Sequence, residues 1–247
     1  MIVDIFSYNN RALFTDFYEL TMVNGYFENN YHEKLASFEL FFRKSPFNGG
    51  FAIACGIYDV VKFLKNFSFS IEDINYLESL RMFSDKYLDF LQNLRVNKSC
   101  EILSVLEGTV IFPYEPILQV TAPLAIAQLI ESALLNIINY QTLIATKSAR
   151  ICLATKRSNN VMEFGLRRAH SDGGITGSRA AVIGGCSVTS NTFAGKHYNL
   201  PVSGTHAHSW IQSFDSELEA FRAYARVFPE NTTLLVDTYN VLKSGIP

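Results

Sequence analysis

Past residue 160 the chain repeats one arrangement: a short β-branched run, then a polar, glycine-rich segment, with helical stretches between. The runs are Val161-Met162-Glu163-Phe164, Ala181-Val182-Ile183, Leu200-Pro201-Val202 and Thr233-Leu234-Leu235-Val236. Ser178-Arg179-Ala180 and Ser216 to Val227 carry the helical character between them. A parallel crossover needs an intervening segment and usually takes a helix, so this alternation predicts parallel βα units. No fixed-period repeat beyond these units and no low-complexity tract is present. In parallel α/β folds ligands gather at the carboxyl ends of the strands, which makes the segments after these runs the places to look for chemistry.

The first half reads differently. Residues 12–27 place Leu13, Phe17 and Leu20 at helical spacing, with Thr15 or Asp16 as cap and Gly25 near the end. Phe38, Leu40 and Phe42 alternate as in a strand. Turn signals at Ser45-Pro46 and Asn48-Gly49-Gly50 then lead to Phe51-Ala52-Ile53, which predicts a hairpin followed by a helix. One helix is predicted over 71–95, with Ser70 as N-cap and Glu72 and Asp73 in its first turn. Two or three short strands follow between Glu101 and Val120, broken by Glu107-Gly108 and Pro113. Pro123 then opens a long apolar helix toward Arg150. Gln128, Glu131, Asn136 and Asn139 interrupt its most lipid-like part, short of the roughly 20 nearly uncharged residues a membrane span needs, so it reads as a buried helix. The change of character divides the chain near residue 120, into an α+β N-terminal domain (1–120) and a βα array (121–247).

Charge and cysteine usage exclude several functions. With 21 Lys+Arg against 23 Asp+Glu the net charge is −2, so no basic field exists to hold a nucleic-acid backbone. Hydrophobic residues at 48% and charged residues at 18% support a large core rather than a disordered chain. The segment Met1 to Ser7 has no basic n-region and no sustained apolar stretch, and so does not read as a secretory signal. Cys55, Cys100, Cys152 and Cys186 lie far apart without C-x-x-C spacing; neither a zinc site nor a disulfide framework is predicted, and a cytoplasmic setting fits.

Four strand ends carry candidate residues. After the first run, Arg167 and Arg168 present two guanidinium forks suited to a carboxylate or phosphate; equally, one pairs with Glu163 and the other is a solvated charge. Thr189-Ser190-Asn191 suits a helix cap, an anion site, or both. His206 and His208 share a face of an extended segment, as a weak metal pair, a nucleophile or base, or loop histidines. Asp237 is a strand-end cap, or a ligand for ribose hydroxyls or hydrated Mg²⁺. Spacing does not choose among these.

Taken in order, the segments resemble the nicotinate phosphoribosyltransferase family over nearly the whole chain. The resemblance rests on Leu13 to Met22, Phe41-Phe42-Arg43-Lys44-Ser45-Pro46-Phe47, Glu107-Gly108-Thr109, Glu163 to Ala169, Thr189-Ser190-Asn191, Gly204 to Ser209 and Val236-Asp237-Thr238-Tyr239. It implies an enzyme that joins nicotinate to phosphoribosyl pyrophosphate for NAD synthesis, releasing pyrophosphate, with ATP hydrolysis coupled through a phosphohistidine as in the ligase class. It further implies that His208 is the phosphorylated nucleophile, while His206 matches no fixed family position. Thr205 with Arg167 or Arg168 would hold the nicotinate carboxylate, and Tyr18 would stack on the pyridine from the neighbouring subunit of a homodimer with composite sites. Ser190, Asn191 and Ser209 would line the substrate site, and Asp237 would bind ribose or organise Mg²⁺.

The implied fold is an α+β domain followed by an irregular, TIM-like α/β barrel. Only four barrel strands are counted before Pro247, so the barrel is expected to be incomplete. The chain is then the first piece of a split enzyme completed by a complementary C-terminal chain, an inactive remnant, or a nicotinate-binding module. Asn240 departs from the family's pattern, which continues Asp-Thr-Tyr with Asp.

Overall fold

A computed structural model describes residues 11–96, 99–155 and 161–247. The reading of Met1 to Ser7 lies outside the described residues. Helix α1 (Phe17–Glu28) begins after Asp16, whose backbone is extended. Instead of capping the helix, the Asp16 side chain accepts a hydrogen bond from Ser132 Oγ at 2.8 Å.

Strand β1 (Leu35–Leu40) does not form the predicted hairpin with β2 (Ala52–Ile53). After β3 (Glu101–Ser104) and β4 (Val110–Ile111) comes β5 (Leu118–Pro123), and it is β5 that pairs antiparallel with β1, Leu35 opposite Pro123 and Leu40 opposite Leu118. Both strands are six residues long and alternate in burial; Leu118, Val120 and Ala122 face the core, and Ser37 meets Thr121 directly across at 2.8 Å between hydroxyls. β3 takes the other edge of β5, giving the order β1-β5-β3. β2 is only two residues long and buried on both faces. It pairs with β4 in a separate sheet, where Thr146 Oγ1 accepts its Ile53 N–H at 2.9 Å.

Helix α2 (Ile57–Lys65) follows, and the helix expected over 71–95 is two: α3 (Ile71–Ser79) and α4 (Asp85–Asn93). Ser70 caps α3 in a reciprocal box with Asp73, accepting its N–H at 3.1 Å while Asp73 Oδ2 accepts the Ser70 N–H at 2.8 Å. The break comes because Arg81 turns left-handed (φ 55°) and Ser84 is a second N-cap, accepting Tyr87 N–H at 3.3 Å.

The long apolar helix is likewise divided, into α5 (Leu124–Leu129), entered from Pro123, and α6 (Glu131–Ala154). An uninterrupted helix would direct the Ser132 N–H to Gln128 O; here it goes to the buried Glu19 Oε1 of α1 at 3.0 Å. α6 is the spine of the molecule. Its Ala133, Leu134, Ile137 and Ile138 share one core with Val60, Phe63, Leu77, Leu91, Ile111, Leu118 and Val120. Two turns further on, Ala145 packs with Ile53, Cys55 and Ala180. Among the described residues no helix is long and apolar enough to cross a membrane.

The parallel βα reading holds for the segment after α6, with shifted boundaries. β6 (Met162–Glu163) pairs parallel with β7 (Val188–Thr189) across helix α7 (Gly173–Ile183). Helix α8 (Thr192–Tyr198) leads on to a single parallel bridge between Thr189 and Val202. Ala181-Val182-Ile183 is therefore the last turn of α7 and not a strand. Ala180 and Ala181 are buried, and Gly184 ends the helix where an added Cβ would lie 2.2 Å from Ala145 O of α6. Thr233 to Val236 forms no ladder; its Leu235 N–H is instead accepted by His206 Nε2 at 3.2 Å. Helices α9 (His208–Gln212) and α10 (Glu217–Val227) complete a mixed helix-and-sheet fold in which the described strands close no barrel.

Candidate active site

The ends of β6 and β7 are tied by a small set of hydrogen bonds, and Ser203 joins them by donating its N–H to Thr189 O at 3.1 Å. At the end of β6, Glu163 does not pair with Arg167 or Arg168. Its Oε1 accepts the Gly165 N–H and its Oε2 accepts Thr189 Oγ1 at 2.5 Å, tying the ends of β6 and β7 together. This consumes the carboxylate that would otherwise neutralise an arginine. Arg167 and Arg168 stand in a 3-10 turn (Leu166–Arg168), both exposed, and among the described residues neither guanidinium has an ion pair. Arg168 lines a cavity of about 550 Å³ together with Tyr140, Glu163, His170, Gly173 and Gly177. Tyr140 donates to Gly173 O at 2.9 Å, and its hydroxyl lies where a Cβ on Gly177 would come within 2.9 Å.

At the end of β7, Ser190 is half-buried and its N–H donates to Glu163 O at 2.9 Å. Asn191 is buried, and its amide is fully engaged. Oδ1 caps α8 by accepting Ala194 N–H at 3.1 Å, while Nδ2 donates to Gly174 O at 2.8 Å and lies 3.3 Å from Ser178 Oγ. The cap reading of Asn191 is thus observed, and its side chain holds the strand end against α7.

The two histidines have opposite environments. His206 is buried against Tyr224 (ring centroids 4.9 Å apart) and Phe221. Because its Nε2 accepts the Leu235 N–H, the ring proton sits on Nδ1, which faces Ala207 O at 3.4 Å. This is a structural histidine, and it does not converge with His208 on a metal. His208 opens α9 and is half-exposed. Its Nδ1 lies 3.2 Å from Thr238 Oγ1, and its Nε2 lies 4.0 Å from Asp237 Oδ1, so segments 29 residues apart in sequence meet at one imidazole. Thr205 and Ser209 flank the pair and are exposed, with Thr205 Oγ1 donating to His206 O at 2.9 Å. Asn240 caps the final turn by accepting Leu242 and Lys243 N–H groups at 3.1 and 2.9 Å, a role an aspartate performs equally.

Tyr18 lies apart from this cluster. It lines a second cavity, of about 470 Å³, with Phe41, Phe42, Lys44, Asn136 and Asn139. Its hydroxyl is 3.3 Å from Glu19 Oε1 and 3.4 Å from Glu131 Oε1; burial and these two carboxylates raise its pKa. Glu19, fully buried beneath it, accepts from Ser132 N–H, Ser132 Oγ and Thr15 Oγ1, and burial pushes its carboxyl up to about 7.

Sequence reasoning assigned no individual role to Glu19, Thr238 or Glu107, and read Thr189 only within the cap or anion segment 189–191. Glu107 bonds Arg179 of α7 through both carboxylate oxygens. Burial by itself would raise its pKa, but Arg179 and the N–H groups of Gly56 and Tyr58 outweigh that and hold it below the usual range. All four sit in motifs that were visible, Glu19 within Leu13 to Met22.

With this geometry in place, the comparisons are specific. The model of the nicotinate phosphoribosyltransferase N-terminal domain matches residues 13–139, just over half the chain. Nicotinate phosphoribosyltransferase of Bacillus subtilis is 46% identical over 243 residues, covering 98% of this chain and 49% of that relative. A Mycobacterium tuberculosis enzyme of the same name is 44% identical over 233 residues, again covering 49% of the relative. The crystal structure of human nicotinic acid phosphoribosyltransferase superposes with a TM-score of 0.86 at 34% identity, over 94% of this chain and 56% of the human one. The chain spans about half the length of the curated relatives it matches. Motif order, the helix-and-sheet arrangement and these matches agree on one conclusion: the chain belongs to the nicotinate phosphoribosyltransferase family.

Proposed function

We propose that this chain contributes the substrate-binding and phosphoryl-accepting residues of a nicotinate phosphoribosyltransferase acting in NAD biosynthesis. The observation that carries this reading is the meeting of His208 with Thr238 and Asp237, which gives an exposed imidazole a fixed orientation beside a carboxylate. If Nδ1–H donates to Thr238 Oγ1, Nε2 keeps its lone pair for the γ-phosphorus of ATP. The P–N bond forms as the bond to ADP breaks, and water later returns the phosphoryl group as phosphate. Asp237 Oδ1, 4.0 Å away, places a carboxylate beside Nε2.

In the synthetic step the pyridine nitrogen attacks the anomeric carbon of phosphoribosyl pyrophosphate and the diphosphate leaves. Pyridine carries no proton to remove, so the protein's work is positioning and charge stabilisation. The unpaired forks of Arg167 and Arg168 suit the nicotinate carboxylate, and Thr205 adds a hydroxyl donor to it; Ser190 and Ser209 offer hydroxyls to the phosphoribosyl group. Asn191 acts by holding the end of β7. Asp237 is an exposed carboxylate of the kind Mg²⁺ takes, and the cation would neutralise diphosphate charge when bound.

Tyr18 stacks on the pyridine from a neighbouring subunit of a homodimer, and residues 121–247 form the first half of a TIM-like barrel behind the 1–120 domain. The remaining βα units come from a further polypeptide segment, and the enzyme works in the cytoplasm as an ATP-coupled ligase. The test is nicotinate mononucleotide formation from nicotinate, phosphoribosyl pyrophosphate, Mg²⁺ and ATP, by the chain alone and with a polypeptide supplying the remaining units. Product only on mixing supports the reading, whereas product by the chain alone keeps the activity but overturns the need for further βα units. No product in both, with nicotinate still bound, reassigns the chain to a binding module.

A further inference from the structure

We propose that Glu107 is a positioning residue for the strand-end cluster: through Arg179 it fixes helix α7, and α7 holds both Asn191 and the turn carrying Arg167 and Arg168. This inference rests on reading that cluster as the substrate site.

The carboxylate is anchored from the N-terminal side. Glu107 Oε1 accepts the Gly56 N–H at 2.8 Å and lies 3.4 Å from the Tyr58 N–H, the orphan donors that open α2. Gly56 is left-handed (φ 107°), and a Cβ there would lie 3.1 Å from Ile137 O, so the start of α2 is pressed onto α6 and cannot drift. On the other side, Arg179 Nη1 donates to Oε1 at 3.0 Å and Nη2 donates to Oε2, a bidentate pair with both side chains less than one-fifth exposed. The guanidinium also sits over two rings, Tyr58 at 5.0 Å and Tyr198 at 5.5 Å. Arg179 is therefore held by three elements besides its own: the Glu107 loop, α2 and the end of α8.

From Arg179 the constraint passes along α7. Ser178, its neighbour, donates to Gly174 O at 2.8 Å, and Asn191 Nδ2 donates to that same carbonyl. The N-terminus of α7 packs on the arginine turn closely enough that a Cβ on Gly174 would lie 2.9 Å from Leu166 Cδ1. Glu107 itself does not line the Arg168 cavity, so its effect reaches the site only through α7.

The test is Glu107→Gln in the full chain. It keeps an oxygen for Gly56 N–H but removes the charge that binds Arg179. Amide hydrogen exchange is expected to quicken roughly tenfold or more across 165–183 and 189–198, the size expected for losing a charged hydrogen bond, with 71–93 unchanged. In the assembled enzyme the nicotinate KM should rise about tenfold, while labelling of His208 from ATP stays at the wild-type level. Arg179→Gln should reproduce both effects, and the double variant should add little to either. Unchanged exchange in 165–198 overturns the proposal, as does equal acceleration in 71–93, which would make Glu107 a general stability residue. If the wild-type protein neither turns over nor labels, the substrate reading fails by itself, and the exchange data still decide the role of Glu107.

Discussion

Replacing Glu19 by Gln is expected to remove a loss of stability that the wild-type protein suffers as pH rises. Glu19 is fully buried between α1 and the start of α6, facing Tyr18, Asp16 and Glu131, with Ser132 and Thr15 as donors. Burial raises its pKa from 4.5 to about 7. Between those values the folded state keeps a proton that the unfolded chain has released, so unfolding releases a proton and stability falls as pH increases. At about 1.4 kcal/mol per pH unit the loss accumulates to about 3 kcal/mol, and it levels off above the folded-state value. The measurement is urea unfolding of the wild type and of E19Q, followed by circular dichroism at pH values from 4.5 to 8.5. The difference in unfolding free energy should shift toward the variant by about 3 kcal/mol over that range, and taking the difference cancels the other titrating groups. Two parallel curves would refute the reasoning, since they would mean that Glu19 binds its proton no more tightly in the folded state than in the unfolded chain.

Three further outcomes are expected. Gly184→Ala places a methyl group 2.2 Å from Ala145 O, a backbone atom with little room to yield, and should cost about 3 kcal/mol, the upper end for overpacking; the fall in Tm measures it. His208→Ala should abolish phosphoenzyme formation and the stimulation by ATP while leaving some ATP-independent transfer; undiminished labelling would remove His208 as the nucleophile. Arg167→Ala or Arg168→Ala should weaken nicotinate binding by about 1.5–3 kcal/mol, as for a lost charge-assisted hydrogen bond; isothermal titration showing unchanged affinity in both would assign the arginines to structure.

The amino-acid sequence alone determined the local punctuation of this protein and the order of its motifs. Ser70 with Asp73 marks a helix start, Pro123 marks another, and the β-branched runs around Met162 and Val202 mark parallel βα units, because capping geometry and strand preference act over a few residues. The place of Arg167 and Arg168 in the turn after β6 was legible for the same reason.

Tertiary structure decided what depends on partners distant in sequence. Only packing shows that β1 pairs with β5, whose alternation matches it over six residues, and not with the two-residue β2 next in the chain. Ile130 interrupts an apolar helix because Glu19, more than a hundred residues earlier, takes the Ser132 N–H. Ala181 to Ile183 resembles a strand by composition, yet burial of Ala180 and Ala181 makes it the end of a helix. The two histidines are alike in sequence and opposite in environment. A backbone N–H from residue 235 takes the lone pair of His206, whereas His208 faces Thr238 and Asp237 with part of its ring in water. Hydrogen-bond partners are set by the fold, and they separate a structural imidazole from one available for chemistry.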